Sequence, residues 1–347
     1  MAISRDTAER TDSSALNNNS AACPVCDRQG AVRLFFSRDR IHHLPGIFGL
    51  FRCNHCQAIF IQPWLRNAAL ASYYPDEYGR YRHSASLNKN NYAGWRRFVL
   101  ENYYRYPSRR AAESSLIKEM AAFVLSFVTA KGVIPYHGAG RILDVGCGGG
   151  SYLHRLNQWG WDSYGVEPSK RGAEQAQNLG LRVFQGTLEE ARFESYFFDV
   201  IRLSHVLEHV NQPKAIFKEI YRILKPDGLV YVTVPNTRSL VFWLFKENWY
   251  ALDAPRHVIS YCPRALRELC DVTGFEIAST RFDAGPFNFV RSLKYFFEEK
   301  GGAGQAGSEV FRGIGARSFG ALKPLFVVVD SWGFGDFLHA TLRKKRS

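Results

Sequence analysis

The chain has 347 residues, 46% of them hydrophobic, which is enough for about two folding units with sizeable cores. This composition excludes a disordered or fibrous chain. Forty-five Lys and Arg against 32 Asp and Glu give a net charge of +13. Such a charge favours anionic partners, namely nucleic acid, phosphorylated or nucleotide-linked substrates, or an acidic membrane surface, without choosing among them.

The N-terminal segment, residues 1–20, is rich in Asn, Ser, Ala and charge, and we expect a disordered tail there. It has no apolar core of the kind that a signal peptide carries, and no later stretch is long and apolar enough for a membrane span. The seven cysteines are an odd number, which argues against a set of paired disulfides. Together these features predict a cytoplasmic protein.

Four of the cysteines form two pairs with the spacing of a metal site. Cys23 and Cys26 lie in the sequence CPVC, and Cys53 and Cys56 lie in CNHC. Two such turns place four thiolates in the tetrahedral arrangement that zinc prefers. A redox role is less consistent, because both pairs lie in turn-rich sequence. We therefore predict a structural zinc ion in a zinc-ribbon-like module, residues 21–63.

The next stretch, residues 64–130, is interpreted as a connector with lead-in helices. It begins with the tyrosine-rich sequence YYPDEYGRYR and ends with an apolar pattern of helical period. From residue 131 to residue 347, short apolar runs alternate with amphipathic segments. This alternation predicts an α/β domain, with a parallel sheet covered by helices on both faces.

A glycine-rich turn follows the first strand of this domain, in the sequence RILDVGCGGGSYLHRL. It carries Asp144, Gly146 and Gly148, and it leads into a helix whose N-terminal amides are available to a ligand. Glu167 ends the second strand, where a carboxylate can accept hydrogen bonds from both ribose hydroxyls of an adenosine. The turn alone is a weak signal, and the acidic residue strengthens it.

These residues resemble the class I S-adenosylmethionine-dependent methyltransferases. The resemblance covers residues 141 to about 282 and implies a Rossmann-like sheet of seven strands in the order 3-2-1-4-5-7-6. We expect the sixth and seventh strands at about 275–282 and 336–343. It also implies that Asp144, Gly146 and Gly148 hold the methionine end of the cofactor, and that Glu167 holds the ribose. Many members carry an Asp after the third strand, where this chain reads QGTLEE, so Thr187 and Leu188 are expected beside adenine.

With the paired cysteines included, the chain resembles bacterial methyltransferases that modify polysaccharides and sugars. The resemblance implies a small-molecule or glycan acceptor, and we expect O-methylation of a sugar hydroxyl.

The sequence RLSHVLEHV follows the fourth strand and places His205, Glu208 and His209 within five residues. Positions i, i+3 and i+4 of a helix share one face, so these side chains can converge. The segment is similar to the ExxEH segment of metal-dependent O-methyltransferases, with His205 in the place of the first acid. This resemblance implies His257 as a later ligand of a second divalent metal ion. Without a metal, His209 or His257 could act as a general base. A purely structural role, with hydrogen-bonded histidines, is the third interpretation.

Two other functions are consistent with the sequence. An RNA methyltransferase would suit the positive charge and the zinc module, and it predicts a continuous basic track and steep salt dependence of binding. A non-catalytic cofactor-binding scaffold of a glycan assembly complex would need Gly146 and Glu167 but not His209 or His257. The apolar and basic C-terminal segment KPLFVVVDSWGFGDFLHATLRKKRS favours core packing, with peripheral membrane contact as the alternative. The sequence leaves the oligomeric state open.

Overall fold

The structure is a computed structural model, and it describes residues 22–65, 67–74, 94–107, 115–129, 132–299 and 323–346. Within these residues the strands are β1 (Val32–Ser37), β2 (Phe48–Arg52), β3 (Ile59–Gln62), β4 (Arg141–Val145), β5 (Asp162–Glu167), β6 (Arg182–Gln185), β7 (Phe198–Ser204), β8 (Leu224–Pro235), β9 (Ile259–Ser260), β10 (Phe275–Asp283) and β11 (Phe337–Lys344). The helices are α1 (Asn67–Ala71), α2 (Trp95–Asn102), α3 (Leu116–Thr129), α4 (Ser151–Asn157), α5 (Lys170–Asn178), α6 (Pro213–Ile223), α7 (Leu240–Phe245), α8 (Pro263–Thr273), α9 (Pro286–Glu299) and α10 (Lys323–Ser331).

The larger sheet has seven strands in the order β6-β5-β4-β7-β8-β11-β10. Numbered within the domain, this order is the expected 3-2-1-4-5-7-6, so the predicted α/β, Rossmann-like class is confirmed. The last two strands, β10 and β11, lie within a residue or two of the predicted ranges. Strand β4 pairs in parallel with both β5 and β7, and its last residue, Val145, is in register with Val166 and Leu203.

The described residues form two compact units, each built from separate stretches of sequence. The second unit takes its residues from 76–204, 216–231 and 341–347. Its core forms where apolar residues of β4 and β7, such as Ile142 and Val200, meet Leu100 of α2 and Leu156 of α4. Trp161, just before β5, is buried in the same cluster. Burial of these side chains is the main favourable contribution to folding of the unit.

The first unit takes its residues from 1–75, 205–215 and 232–340. It contains a second sheet, of four antiparallel strands in the order β1-β2-β3-β9. Strand β9 pairs Ile259 with Phe60 and Ser260 with Ile59 of β3. The fourth strand of this sheet therefore comes from outside 21–63. The boundaries of the predicted module, connector and methyltransferase domain stay predictions.

The remaining sequence predictions concern the N-terminal tail, the connector and membrane spans. The predicted tail and most of the tyrosine-rich stretch after Tyr74 lie outside the described residues. The expected lead-in helices correspond to α2 and α3, but Leu116, Ile117 and Met120 of α3 are exposed. Among the helices that the structure describes, none combines the length and the apolar character needed to cross a bilayer.

Candidate functional site

The four paired cysteines converge in the first unit. The Sγ atoms of Cys23 and Cys56 are 3.5 Å apart, and those of Cys26 and Cys53 are 3.6 Å apart. All four sulfurs lie within 4.8 Å of one another. Sulfurs bound to zinc at about 2.3 Å in a tetrahedron would be separated by about 3.8 Å. The cluster therefore has the dimensions of a four-cysteine metal site.

The two turns that carry these cysteines have similar backbone geometry. The Asp27 N–H donates to the Cys23 carbonyl at 2.8 Å, and the Gln57 N–H donates to the Cys53 carbonyl at 3.1 Å. Asp27 and Gln57 both have positive φ, of 59° and 67°. Each pair of thiols is thus presented by a tight turn with a left-handed residue after the second cysteine.

Proximity of the thiols changes their acidity. A hydrogen bond from Cys56 holds the pKa of the Cys23 thiol at about 5. The same interaction, seen from the other side, raises the pKa of Cys56, and burial raises that of Cys26 to about 11. A low pKa at Cys23 and raised pKa values at Cys26 and Cys56 mean that the thiols oppose one another's ionisation. A bound cation would remove this opposition and favour the thiolate form of all of them.

The glycine-rich turn lies in the second unit, between β4 and α4. Gly146, Gly148 and Gly150 have φ of 68°, 55° and 76°, which L side chains rarely adopt. A Cβ at Gly148 would meet no described atom within 4 Å, so this glycine borders open space. A Cβ at Gly150 would lie 2.4 Å from Leu181. Gly150 therefore serves packing, whereas Gly148 leaves room for a ligand beside the backbone.

Glu167 ties the turn to the end of β5. Its Oε2 accepts the Gly148 N–H at 2.8 Å, and its Oε1 accepts the Ser169 N–H at 2.9 Å. A carboxylate has about four acceptor positions, and one at the end of the second strand can accept hydrogen bonds from ribose hydroxyls. The geometry fits an adenosine-containing cofactor at this turn.

Asp144 has a partner that sequence reasoning missed. Its buried carboxylate accepts a hydrogen bond from Arg202 Nη1 of β7 at 2.7 Å. Burial raises the pKa of Asp144, and the Arg202 charge opposes that rise. Sequence spacing offers no signal for this pair, because the two residues meet only through the pairing of β4 with β7. The predicted contact of Asp144 with the methionine end of the cofactor stays a prediction.

The two residues expected beside adenine follow β6. Thr187 Oγ1 accepts the Glu190 N–H at 3.3 Å, and Glu190 accepts the Thr187 N–H in return at 2.7 Å. The Leu188 side chain is buried in the core. Their contact with adenine stays a prediction.

The histidine cluster lies in the first unit. Leu207–His209 form a single turn of 3-10 helix instead of the expected helical face, and His205 precedes it with a φ of 57°. His205 Nδ1 is nevertheless 3.2 Å from Glu208 Oε1. His257 Nε2 lies 4.0 Å from the same oxygen, and the rings of His209 and His257 are 4.7 Å apart. The structure thus brings together all four residues singled out in the sequence.

Three of these four residues have the arrangement of a metal site. Ligand atoms of Glu208, His209 and His257 all lie within 4.8 Å of one another. His205 is outside this trio. It contacts Glu208 through Nδ1, and its ring packs edge to face against Phe337. The expectation that His205 takes the place of the first acid of an ExxEH segment therefore gains no support from the trio.

The orientation of both histidine rings is fixed by backbone carbonyls. His209 Nδ1 lies 2.9 Å from the Arg256 carbonyl oxygen, and His257 Nδ1 lies 2.8 Å from that of Ala251. A carbonyl oxygen only accepts, so each Nδ1 carries the proton. In the neutral rings the lone pair is then on Nε2, as in histidines that bind metal ions or accept protons.

Glu208 has the electrostatics of a buried ligand. Burial would raise its pKa, but the hydrogen bond from His205 and the nearby histidines hold the pKa at about 2. Its Oε2 is buried and has no hydrogen-bond partner in the described part of the chain. The hydroxyl of Tyr261 is also buried and lacks a partner there too; burial, and next the Glu208 charge, raise its pKa. Such groups fit a site that takes an ion or water.

Residues around His209 were also missed by sequence reasoning. The Tyr74 hydroxyl is 2.8 Å from His209 Nδ1, and Arg256 forms ion pairs with Asp39 and Asp253. The charged residues of DAPRH, set among apolar neighbours, could have indicated a buried network. Asp39 lies 217 positions from Arg256 and gives no local signal.

Comparison with known proteins also indicates a methyltransferase. A family model described as a methyltransferase domain matches residues 104–280. The ubiquinone biosynthesis O-methyltransferase of Haemophilus ducreyi is 32% identical over 160 residues, which cover 39% of this chain and 68% of that protein. The protein of the same name from Parvibaculum lavamentivorans is 29% identical over 145 residues, covering 40% and 54%. The chain thus spans about half the length of several curated relatives that it matches.

Solved structures are similar at a greater distance. A methyltransferase of Thermotoga maritima, titled as a possible histamine N-methyltransferase, is 21% identical with a TM-score of 0.41, covering 60% of this chain and 83% of that one. One from Archaeoglobus fulgidus is 19% identical with a TM-score of 0.42, covering 72% and 99%. The family model covers half of the chain and includes β4 with its glycine turn. The chain therefore belongs to the class I S-adenosylmethionine-dependent methyltransferases.

Proposed function

We propose that this protein transfers a methyl group from S-adenosylmethionine to a hydroxyl group of a small-molecule acceptor. Family membership supports the donor, and the relatives named as O-methyltransferases favour oxygen as the acceptor atom. The observation that carries the proposal is the convergence of Glu208, His209 and His257. Such a group can remove the proton that an acceptor hydroxyl must lose.

The cofactor would be held by the turn after β4. The open space at Gly148 admits it close to the backbone, and Glu167 is placed to accept hydrogen bonds from its ribose. When bound, S-adenosylmethionine supplies an electrophilic methyl group. Because the transfer is a single in-line displacement, the protein mainly aligns the reactants. The ion pair between the buried Asp144 and the partly buried Arg202 joins β4 and β7 at facing positions just before the turn.

The trio of Glu208, His209 and His257 fits a divalent metal ion. A carboxylate and two imidazoles that each offer an Nε2 lone pair suit manganese, iron or zinc better than magnesium, which prefers oxygen ligands. When bound, the ion would lower the pKa of a hydroxyl placed next to it. Without an ion, His209 Nε2 takes the proton from the acceptor directly, and Glu208 stabilises the charged ring. Both versions use the same side chains.

The cysteine cluster is proposed to hold a structural zinc ion. Four protein ligands fill a tetrahedral site, so no position remains for a substrate. The zinc would stabilise the sheet of β1, β2, β3 and β9, whose strands β2 and β3 directly flank CNHC.

The identity of the acceptor is the finer part of the proposal. The sugar hydroxyl or glycan expected from the sequence rests on the family resemblance, and a ring hydroxyl of a ubiquinone precursor would follow from the named relatives. RNA as acceptor and a non-catalytic scaffold remain the alternatives predicted from the sequence.

The test is release of S-adenosylhomocysteine by the zinc-loaded protein with three sets of acceptors: dihydroxyphenols, monosaccharides with their nucleotide conjugates, and RNA. Turnover with one of the first two sets, abolished in His209→Gln and His257→Gln, supports the proposal. Turnover with RNA alone would favour the second enzyme. Tight cofactor binding that is unchanged in both histidine variants, with no turnover on any set, would favour the scaffold.

A further inference from the structure

Arg256 is the centre of a buried ion network in the first unit. Its side chain is fully buried, as is that of Asp39. The Nη1 and Nη2 groups donate to the two oxygens of Asp39 at 3.0 and 2.6 Å. The Nε and Nη2 groups donate to Asp253 at 2.9 and 2.6 Å, and Nη1 also donates to the Tyr73 carbonyl at 3.0 Å. Five hydrogen bonds match the five N–H groups of a guanidinium, so Arg256 has a single well-defined position.

Asp39 is itself fixed by the loop that carries it. Its Oδ1 accepts the backbone N–H groups of Ile41 and His42, each at 3.0 Å. The carboxylate that clamps Arg256 is thus anchored in the loop between β1 and β2. A buried pair of this kind contributes little net stability compared with apolar packing, so stability alone does not account for it.

The network ends at His209 by two routes. The backbone carbonyl of Arg256 accepts from His209 Nδ1, and the Tyr74 hydroxyl lies 2.8 Å from the same nitrogen. The neighbour of Tyr74, Tyr73, accepts from Arg256. A deprotonated Nδ1 would place its lone pair against the carbonyl oxygen, so the contact with Arg256 favours Nδ1–H, and the Tyr74 hydroxyl oxygen can accept from the same group. Asp39 and Tyr73 therefore contact Arg256, and Tyr74 contacts the ring whose tautomer the Arg256 carbonyl favours.

We propose that Asp39 is a positioning residue for His209: by locking Arg256, it holds the Arg256 carbonyl where it fixes His209 as the Nδ1–H tautomer, with Nε2 available for the reaction. This inference rests on the proposed function, in which His209 Nε2 serves methyl transfer. It makes the loop between β1 and β2 a support of the reactive centre. Asp39 touches no reacting atom and acts through Arg256.

His257 provides an internal control for this role. Its Nδ1–H donates to the carbonyl of Ala251, which is not a partner of the Arg256 side chain. Asp253 lies 3.9 Å from His257 Nε2 and also binds Arg256, but Asp39→Asn leaves Asp253 in place. A loss of the Asp39 clamp should therefore change the tautomer of His209 and leave that of His257 unchanged. A general loosening of the unit would change both.

The experiment is nitrogen-15 NMR of the histidine-labelled, zinc-loaded full chain, without other divalent ions, acceptor or S-adenosylmethionine. Two-bond proton–nitrogen correlations distinguish the tautomers, and His209→Gln assigns the signal. In the wild type we expect His209 and His257 as Nδ1–H. In Asp39→Asn we expect His209 to lose this preference and to show the Nε2–H form. Glu298→Gln, which removes a carboxylate from an exposed ion pair with Lys294, should match the wild type.

A second variant guards against loss of the fold. Arg256→Lys keeps the positive charge but not the fork that binds two carboxylates, and it should change His209 in the same direction. A folded Asp39→Asn or Arg256→Lys protein whose His209 remains Nδ1–H would overturn the proposal, as would a wild-type His209 in the Nε2–H form. Equal changes at His257 would also contradict it. Because no turnover is measured, these outcomes are independent of whether the methyl transfer itself is found.

Discussion

His209 and His257 lie edge to face with their ring centroids 4.7 Å apart, and each donates its Nδ1–H to a backbone carbonyl. His209 follows strand β7 of the large sheet, and His257 precedes the short strand β9 of the small sheet. The pair therefore arises from tertiary structure and not from helical spacing. Beside the buried Glu208 carboxylate, the rings form a group that can bind a cation or accept a proton.

The first prediction concerns a second metal ion. Zinc-loaded protein should bind one Mn²⁺ or Co²⁺ in addition to the zinc, and Glu208→Gln should weaken this binding at least tenfold, about 1.4 kcal/mol, because a buried anionic ligand is lost. Isothermal titration calorimetry measures it. Glu298→Gln, an exposed carboxylate with a lysine partner, is the matched control and should bind like the wild type.

If no second ion binds, the histidines act by acid–base chemistry. Methyl transfer would then be indifferent to a chelator that leaves the zinc in place, and it would show a step in its pH–rate profile near neutrality. Loss of activity on chelation, restored by a divalent ion, points to the metal.

The second prediction concerns the cysteine cluster. Cys53→Ser should lower the zinc content below one per chain, as measured by elemental analysis after gel filtration. It should also unfold the sheet of β1, β2, β3 and β9, since zinc binding in small modules is worth on the order of 10 kcal/mol. Cofactor binding should persist, because the glycine turn belongs to the other unit. Retention of a full zinc complement would contradict the four-cysteine site. Cys270→Ser, at a buried cysteine outside the cluster, controls for loss of a buried thiol.

The third prediction concerns cofactor binding. Gly148→Val should abolish measurable S-adenosylmethionine binding, because a branched side chain would fill the open space beside the backbone. Gly180 is a suitable control, since it also has a positive φ, of 72°, and open surroundings. Gly180→Val carries similar backbone strain but should bind the cofactor normally. Equal affinity in the two variants, measured by calorimetry, would remove the cofactor assignment from this turn.

Glu167 offers an independent measurement at the same turn. Glu167→Gln keeps the size of the side chain but removes the charge that accepts from Gly148 and from the ribose. We expect the affinity for S-adenosylmethionine to fall by about 1.5 to 3 kcal/mol, the range for hydrogen bonds to charged groups. The exposed Glu174, paired with Lys170, provides the control Glu174→Gln.

The fourth prediction concerns pH and stability. Burial raises the pKa of Asp336, just before β11, from 3.8 to about 7. Since the folded state binds this proton more tightly than the unfolded state, the free energy of unfolding should fall as the pH rises from about 4 to 7, by up to about 4 kcal/mol. Asp336→Asn should remove this contribution and be more stable than the wild type at pH 8. Denaturant titrations across this range, with the exposed Asp271→Asn as control, measure the effect. Parallel curves for Asp336→Asn and the wild type would refute it.

The sequence by itself determined the architecture of the large sheet and the elements of the two candidate sites. Alternation of apolar and amphipathic segments is a local signal of a wound sheet. The family resemblance supplied its strand order, and with it the ranges of β10 and β11 were predicted closely. The paired cysteines, and the close spacing of His205, Glu208 and His209, were visible along the chain.

Only the tertiary structure decided which distant residues complete these sites. The pairing of β3 with β9, the Asp39–Arg256 ion pair and the Asp144–Arg202 pair join residues separated by long stretches of chain. Charged residues of this kind have the same local pattern whether they lie buried or on the surface, because their burial depends on a partner elsewhere. The tautomers of His209 and His257 follow from backbone carbonyls that local spacing does not place. Spacing therefore revealed the reactive side chains, and packing determined the state in which they are held.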